Sequence, residues 1–493
     1  MLKACIFDLD GTLAYTLDSM ASAANEILKD FGLKTLPVDN FRYYSGEGAS
    51  MLVRRCLADA GDPDLRHFEE MDRIYRERFN ANPLYRVSIY PGIRELLQGL
   101  KKRGILLGVC SNKPHQASLR VVHELFGDGL FDEVIGQSDR IRRKPAPDGP
   151  LFLAGKFGVS PEECLYIGDT GTDMQTGNAA GMHTAGAVWG FRGRDELMEN
   201  HAEYLADRPE DILQIAEQKI SVIFSDLDGT LLRDGRQQLP ERVFPLIRAL
   251  RDKGILFVAA SGRQYANMSR MFAPVKDDVV YICENGALAV CGGEVLYKER
   301  FPSDLCLDIF KAAMEKPQTE FLYSGQARHY LIPKSEEFVN LMKNVVRNDY
   351  ACVSGLEEIP EECVKCAVFE PGGASDENLR YWRERFGGRC FVATSGNCWI
   401  DFIPFGINKG LGVRRICERL GAAVSMSMAF GDELNDIDLL KNAGFGVAMS
   451  HAREEVRNCV PYEADSVEKV LEALIRAEGR LCREVMECIQ KKQ

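Results

Sequence analysis

The pentapeptide DLDGT occurs twice in this chain, and each time it closes a short apolar run, in "ACIFDLDGT" and in "SVIFSDLDGT". The copies start at Asp8 and Asp226, 218 residues apart. A short apolar run that stops at an acidic turn reads as a buried strand of a parallel sheet. Flanking sequence repeats with it: "LKKRGILLGVCSN" in the first half answers to "LRDKGILFVAASG" in the second. At 493 residues the chain also exceeds what one hydrophobic core holds. Two domains are therefore expected, residues 1–217 and 218–493, with the boundary near 214–219.

Each half alternates strand and helix. In the first, "ACIFDL", "ILLGVC" and "CLYIGD" read as strands. "GIRELLQGLKKRG", with Pro91 at its start and Gly104 at its end, reads as a helix, as do "HQASLRVVHELFG" and the small-residue "MQTGNAAG". The second half restarts with "ISVIFSDLDG", "PERVFPLIRALRDKG", "ILFVAASG" and, much later, "MSMAFGDELND". This rhythm predicts an α/β fold with a parallel sheet covered on both faces in each half.

A formal net charge of −12 argues against a nucleic-acid or anionic-membrane surface, both of which need a basic face. It leaves room for a phosphate-bearing small molecule where a local cation reverses the sign. No apolar stretch is long enough to cross a bilayer, and "MLKACIFDLDG" enters a strand without a leader pattern, so a cytoplasmic protein is expected. The 16 cysteines are scattered through apolar runs. Cys363 and Cys366 form a CxxC with no second pair and no neighbouring histidine, and read as reduced buried thiols rather than as a four-ligand zinc site. His67, His115, His123 and His183 show no ligand spacing and read as structural or surface residues.

Four signals sit where strands end. In the first half they are Asp8 with Asp10, Ser111, Lys144, and Asp169 with Asp173 in "GDTGTD". In the second they are Asp226 with Asp228, Ser261, Lys409, and Asp432 with Asn435 and Asp436 in "GDELND". Parallel α/β sheets gather such residues at one carboxyl edge. Clustered carboxylates repel one another unless a hard cation such as Mg²⁺ joins them. A lysine, a hydroxyl and the free N–H groups of the Ser111–Asn112 and Ser261–Gly262 turns can hold phosphate oxygens. Together they describe a phosphoryl-transfer site.

In these motifs, in order and over nearly the whole chain, both halves resemble the haloacid dehalogenase (HAD) superfamily of phosphatases. The resemblance implies two Rossmann-like cores, with Asp8 and Asp226 as nucleophiles that form an aspartyl-phosphate. It implies Asp10 and Asp228 as general acid and base, and Ser111, Lys144, Ser261 and Lys409 as holders of the transferring group. Asp169 and Asp432 would complete a Mg²⁺ shell with the nucleophile and a backbone carbonyl of Asp10 or Asp228. Asp173 and Asp436 would support that shell, and Asn435 would touch phosphate.

Motif spacing separates the halves. Asp8 and Ser111 are 103 residues apart, but Asp226 and Ser261 only 35; Ser111 and Lys144 are 33 apart, but Ser261 and Lys409 are 148. The first half thus carries an insertion at about 15–89, with amphipathic "DSMASAANEILKDFG" and "FEEMDRIYRERFN". The second carries one at about 298–398, mixing "EFLYSG", "HYLIP" and "KCAVFEP" with helical "LRYWRERFG". By resemblance these are a helical type 1 cap and an α/β type 2 cap. The N-terminal half is similar to the phosphoglycolate phosphatase/β-phosphoglucomutase group in "VCSNKP", "RKPAPDGP" and "YIGDTGTDMQTGNAAGM". The C-terminal half is similar to Cof-type sugar-phosphate phosphatases in "ICENGA", "INKG" and "FGDELNDIDLL".

Caps of both kinds close over the core and read the leaving group. In "RYYSGEGASMLVRR", Arg42, Arg54 and Arg55 have two readings, as contacts to a substrate carboxylate or sugar or, with the greater weight, as surface arginines. The expected activity is a Mg²⁺-dependent hydrolysis of phosphoglycolate or sugar phosphates, with one site per half. The alternatives are a phosphosugar mutase in the first half, or one half acting as a binding module. Dehalogenation is disfavoured because both copies keep the acid two residues after the nucleophile, and a response-regulator receiver would carry no cap.

Overall fold

Ala4–Phe7 is a strand of four fully buried apolar residues, and its register explains why it must be apolar throughout. Ala4 pairs with Leu106 on one edge and with Cys164 on the other, both in parallel, so the strand is interior to its sheet, and its side chains are buried on both faces. The computed structural model describes residues 2–491 apart from 234, 237, 347, 374, 396 and 397. The chain divides into two compact units, Met1–Gln218 and Lys219–Gln493.

In the first unit a parallel sheet of six strands runs in the order Glu133–Gln137, Leu106–Pro114, Ala4–Phe7, Cys164–Gly168, His183–Ala187 and Tyr204–Ala206. Asp8 follows the third of these, beside the ends of its two neighbours. A two-stranded ribbon, Ala14–Tyr15 against Ser88–Ile89, brackets the helices Leu17–Asp30, Phe41–Tyr44, Ala49–Ala60 and Phe68–Ala81. These helices bury their own core around Ile27, Phe41, Leu57, Met71 and Tyr75. Full burial of each such side chain stabilises by about 1.5–3 kcal/mol, which suits a lobe with its own hydrophobic centre.

In the second unit a nine-stranded sheet has Val222–Asp226 at its middle, between Leu256–Ala260 and Ser427–Gly431. Its central strands are parallel, and antiparallel pairs occur towards both edges. A separate six-stranded sheet, largely antiparallel, runs in the order Tyr350–Cys352, His329–Leu331, Glu320–Ser324, Lys365–Phe369, Trp399–Pro404 and Cys390–Ser395. Helices Ser303–Glu315 and Asp376–Phe386 contribute to a core with it around Ile309, Phe321, Trp382 and Phe402. This sheet runs on to Pro404, past the insertion limit of 398 expected from spacing, because Trp399–Pro404 pairs with both of its neighbours there. Glu294–Lys298, just before the insertion, belongs to the nine-stranded sheet.

Candidate active sites

The two DLDGT segments leave their strands in the same way. Gly11 and Gly229 both have φ +92°, and a Cβ at either would collide with the Asp169 or the Asp432 carboxylate. The glycine therefore lets the turn approach an acid that follows the neighbouring strand of the sheet, far along the chain. The threonine that follows fixes that acid. Thr12 Oγ1 donates to Asp169 Oδ1 at 2.9 Å, and Thr230 Oγ1 donates to Asp432 Oδ1 at 2.7 Å. The motif's final residue thus anchors the opposite wall of the site, a role the sequence does not reveal because the partner lies far along the chain.

Around each first aspartate the geometry is nearly the same in the two units. Lys144 Nζ lies 2.7 Å from Asp8 Oδ1 and 2.6 Å from Asp173 Oδ1. Lys409 Nζ lies 2.6 Å from both Asp226 Oδ1 and Asp436 Oδ1. The other oxygen of each supporting aspartate is used for local fixing. Asp173 Oδ2 accepts from the N–H and hydroxyl of Thr170, and Asp436 Oδ2 accepts from the N–H groups of Asp432 and Glu433. All of these acids and both lysines are buried.

Asp8, Asp169 and Asp173 each offer an oxygen within 4.8 Å of the others, and Asp226, Asp432 and Asp436 do the same. Burial pushes the Asp8 carboxyl up, Lys144 draws it back, and Asp173 and Asp10 leave it at about 7. Burial, then Asp173 and Asp8, push Asp169 well above the ordinary carboxylate range. In the second unit burial and Asp436 push Asp226 up against the pull of Lys409, and burial pushes Asp432 up. Three oxygen donors that resist ionising together are the set a hard divalent cation relieves, so this donor chemistry fits Mg²⁺.

The remaining residues expected from sequence are placed as follows. Ser111 is buried at the cleft wall and its Oγ accepts from the Lys113 N–H at 3.2 Å; Ser261 Oγ accepts from the Arg263 N–H at 3.3 Å. The Asn112 side chain accepts from the Lys144 N–H at 2.9 Å and donates to the carbonyls of Gly46 and Lys144, holding the lysine's backbone. The Gly262 carbonyl accepts from Lys365 Nζ at 3.3 Å. Asn435 sits exposed in the short 3-10 turn Leu434–Asp436. Asp10 and Asp228 are not drawn into the carboxylate clusters. Lys113 Nζ holds Asp10 at 2.7 and 2.9 Å, and Arg263 holds Asp228 at 2.6 and 2.9 Å.

In the first unit a cleft of about 670 Å³, solvent at its mouth included, opens from Asp8 and Asp10 to the helical lobe, where Met20, Leu52, Tyr75, Arg76, Phe79 and Asn80 line it. Of the lobe's arginines, the one lining this cleft is Arg76 rather than Arg42, Arg54 or Arg55. Arg42 pairs with Asp39, Arg54 lies 3.9 Å from the Phe68 ring centroid, and Arg55 pairs with Glu47. Their surface reading is the one this geometry favours.

A second polar network is not legible in the sequence. Glu284, at the end of the Val279–Cys283 strand, meets Lys365 at 2.7 Å and His329 at 3.2 Å, both from the six-stranded sheet, and Asp401 lies 3.5 Å from the same lysine. Burial pushes the Glu284 carboxyl up, but Lys365 and His329 outweigh it and hold the group at about 2. Cys363 and Cys366, an isolated pair in the sequence, are joined by Cys306. Among the described residues no helix is long and apolar enough to cross a membrane.

Two family models, both described as haloacid dehalogenase-like hydrolase, match this chain, one over residues 5–187 and the other over residues 223–474. A phosphoglycolate phosphatase from Aquifex aeolicus is 32% identical over 219 residues, covering 44% of this chain and 99% of that protein. Another from Haemophilus influenzae is 33% identical over 214 residues, covering 42% of this chain and 96% of that protein. A crystal structure from Eubacterium rectale is 25% identical with a TM-score of 0.48, covering 52% of this chain and 99% of its own. The chain belongs to the haloacid dehalogenase-like hydrolase family, with one family match in each half.

Proposed function

We propose that the chain is a tandem phosphoric monoester hydrolase with one Mg²⁺-dependent active site in each half, the first within residues 1–217 and the second within 218–493. The observation that carries this reading is the duplicated constellation Asp8–Lys144–Asp169–Asp173 and Asp226–Lys409–Asp432–Asp436, with its matched ion pairs. Names of the relatives support a small phosphorylated acid such as phosphoglycolate as substrate of the first half. Arg76 in the cleft is a suitable partner for a carboxylate on the leaving group.

Asp8 and Asp226 act as nucleophiles: a carboxylate oxygen forms a bond to phosphorus as the ester oxygen leaves, giving an aspartyl-phosphate. Asp10 and Asp228 protonate the departing alkoxide, then take a proton from the water that attacks the intermediate. Lys144 and Lys409 neutralise charge on the phosphoryl oxygens and keep the nucleophile oriented. Ser111, Ser261 and the backbone N–H groups of the following turns hold the remaining oxygens. Asp8 with Asp169, and Asp226 with Asp432, would hold Mg²⁺, which would supply charge neutralisation for the transferring group. The helical lobe walls the first site's cleft opposite the carboxylates, with Met20, Leu52, Tyr75 and Phe79 giving it an apolar side.

Release of inorganic phosphate from a panel of phosphoglycolate and hexose phosphates by the full chain, with Mg²⁺ and after chelation, tests the reading. Chelator-sensitive release is expected. Conversion of a hexose 1-phosphate into its 6-phosphate without free phosphate would instead establish a mutase.

A further inference from the structure

Away from both carboxylate clusters, three thiols of the second unit meet. Cys306 is carried by helix Ser303–Glu315, Cys366 by strand Lys365–Phe369, and Cys363 lies just before that strand. The Cys306 and Cys366 sulfurs are 3.4 Å apart, Cys363 and Cys366 are 3.5 Å apart, and all three lie within 4.8 Å of one another. They are 3%, 5% and 0% exposed, so bulk water does not compete for them. Among the described residues this is the one such group built of thiols.

The separations exclude a disulfide, whose sulfurs stand about 2.05 Å apart, and all three residues are free thiols. They match a shared ion far better. Zinc–thiolate bonds of about 2.3 Å place two tetrahedral thiolates about 3.8 Å apart, a few tenths of an ångström from what is seen. The donor set also selects the ion, because three soft sulfurs without a carboxylate among them favour zinc-class cations over Mg²⁺. The surrounding core includes Phe321, Tyr323, Trp382 and Phe402, which gives the group a largely apolar shell.

We propose that Cys306, Cys363 and Cys366 form a site for one thiophilic cation of the zinc class, which staples helix Ser303–Glu315 to strand Lys365–Phe369. Binding exchanges thiol protons for metal–sulfur bonds and releases the protons to solvent. The role is structural, separate from phosphoryl transfer, and does not depend on either half being catalytic.

The test uses the full chain, reduced and stripped of metal, in excess Mg²⁺ so that the carboxylates do not compete. Titration with Cd²⁺, read by the ultraviolet thiolate-to-cadmium charge-transfer band, is expected to saturate at one ion per chain. The band should be lost in C306S and in C366S and kept in C352S, which alters an exposed cysteine. No saturable band, or an undiminished band in C306S, would overturn the proposal. A reading that needs no variant is X-ray absorption of the wild-type chain loaded with one equivalent of Zn²⁺. About three sulfurs at about 2.3 Å are expected, and a shell of oxygen and nitrogen alone overturns the assignment.

Discussion

Lys113 donates to both carboxylate oxygens of Asp10, and it does so from a buried position. Arg263 stands in the same relation to Asp228. Each cation lies two residues beyond the serine of its half, so one turn presents both a phosphate-binding hydroxyl and a clamp on the proposed acid/base. Lys113 Nζ also lies 4.7 Å from the Phe79 ring centroid, which links the clamp to the helical lobe.

Removing that clamp should damage turnover more than binding. For K113M, assayed in a D226N background so that the second half is silent, kcat should fall about 10–100-fold, a part of the roughly 10²–10⁴-fold that general acid–base catalysis contributes, since Asp10 itself is kept. KM should change far less, and K113R should recover part of the loss. Equal losses in kcat for K113M and K113R would contradict the clamp.

Glu284 couples the stability of the second unit to acid. Its folded carboxyl is held at about 2, below the ordinary value of 4.5, so its ionised form stabilises the fold. That contribution is present above about pH 4.5 and is lost as the pH falls toward 2. In E284Q the unfolding free energy near neutral pH should drop by about 3 kcal/mol, since Lys365 loses its closest partner. Its stability should also fall less steeply than the wild type's between pH 5 and 3, as read by urea denaturation at each pH.

Lys409 bridges two buried carboxylates, and its loss leaves them facing one another. K409M should lose about 3–5 kcal/mol of stability in denaturant titrations without metal. Stability within about 1 kcal/mol of the wild type would show the bridge to be dispensable to the fold.

Gly11 and Gly229 combine a positive φ with an acid at their backs. G11A and G229A should each reduce the activity of their own half strongly, by displacing Asp169 or Asp432, while folding is retained. Phosphate release across the ester panel by G11A in a D226N background and by G229A in a D8N background, with folding checked by circular dichroism, would detect this.

Much of this arrangement is legible in the amino-acid sequence. The strands read clearly because a parallel strand covered on both faces must be apolar along its length, and the acids stand out because they end such runs. What stays hidden depends on chain segments meeting over long separations. Thr12 finds Asp169 and Thr230 finds Asp432 only once the sheets form. Glu284 finds Lys365 and His329 only through the fold of the six-stranded sheet. Cys306 lies on a different element from Cys363 and Cys366, so no local spacing announces the trio. Arg76 is inconspicuous because, tied to Asp72 one helical turn away, it looks like an ordinary surface pair.

The central claim is that one chain carries two independent active sites. Its most direct test is to prepare D8N, D226N and the double variant as full chains and measure phosphate release across the same ester panel. Each single variant should lose a different subset of substrates, and the double variant should lose them all. If either single variant kept the complete wild-type profile, the other half would account for all of the activity and the claim of two sites would be wrong.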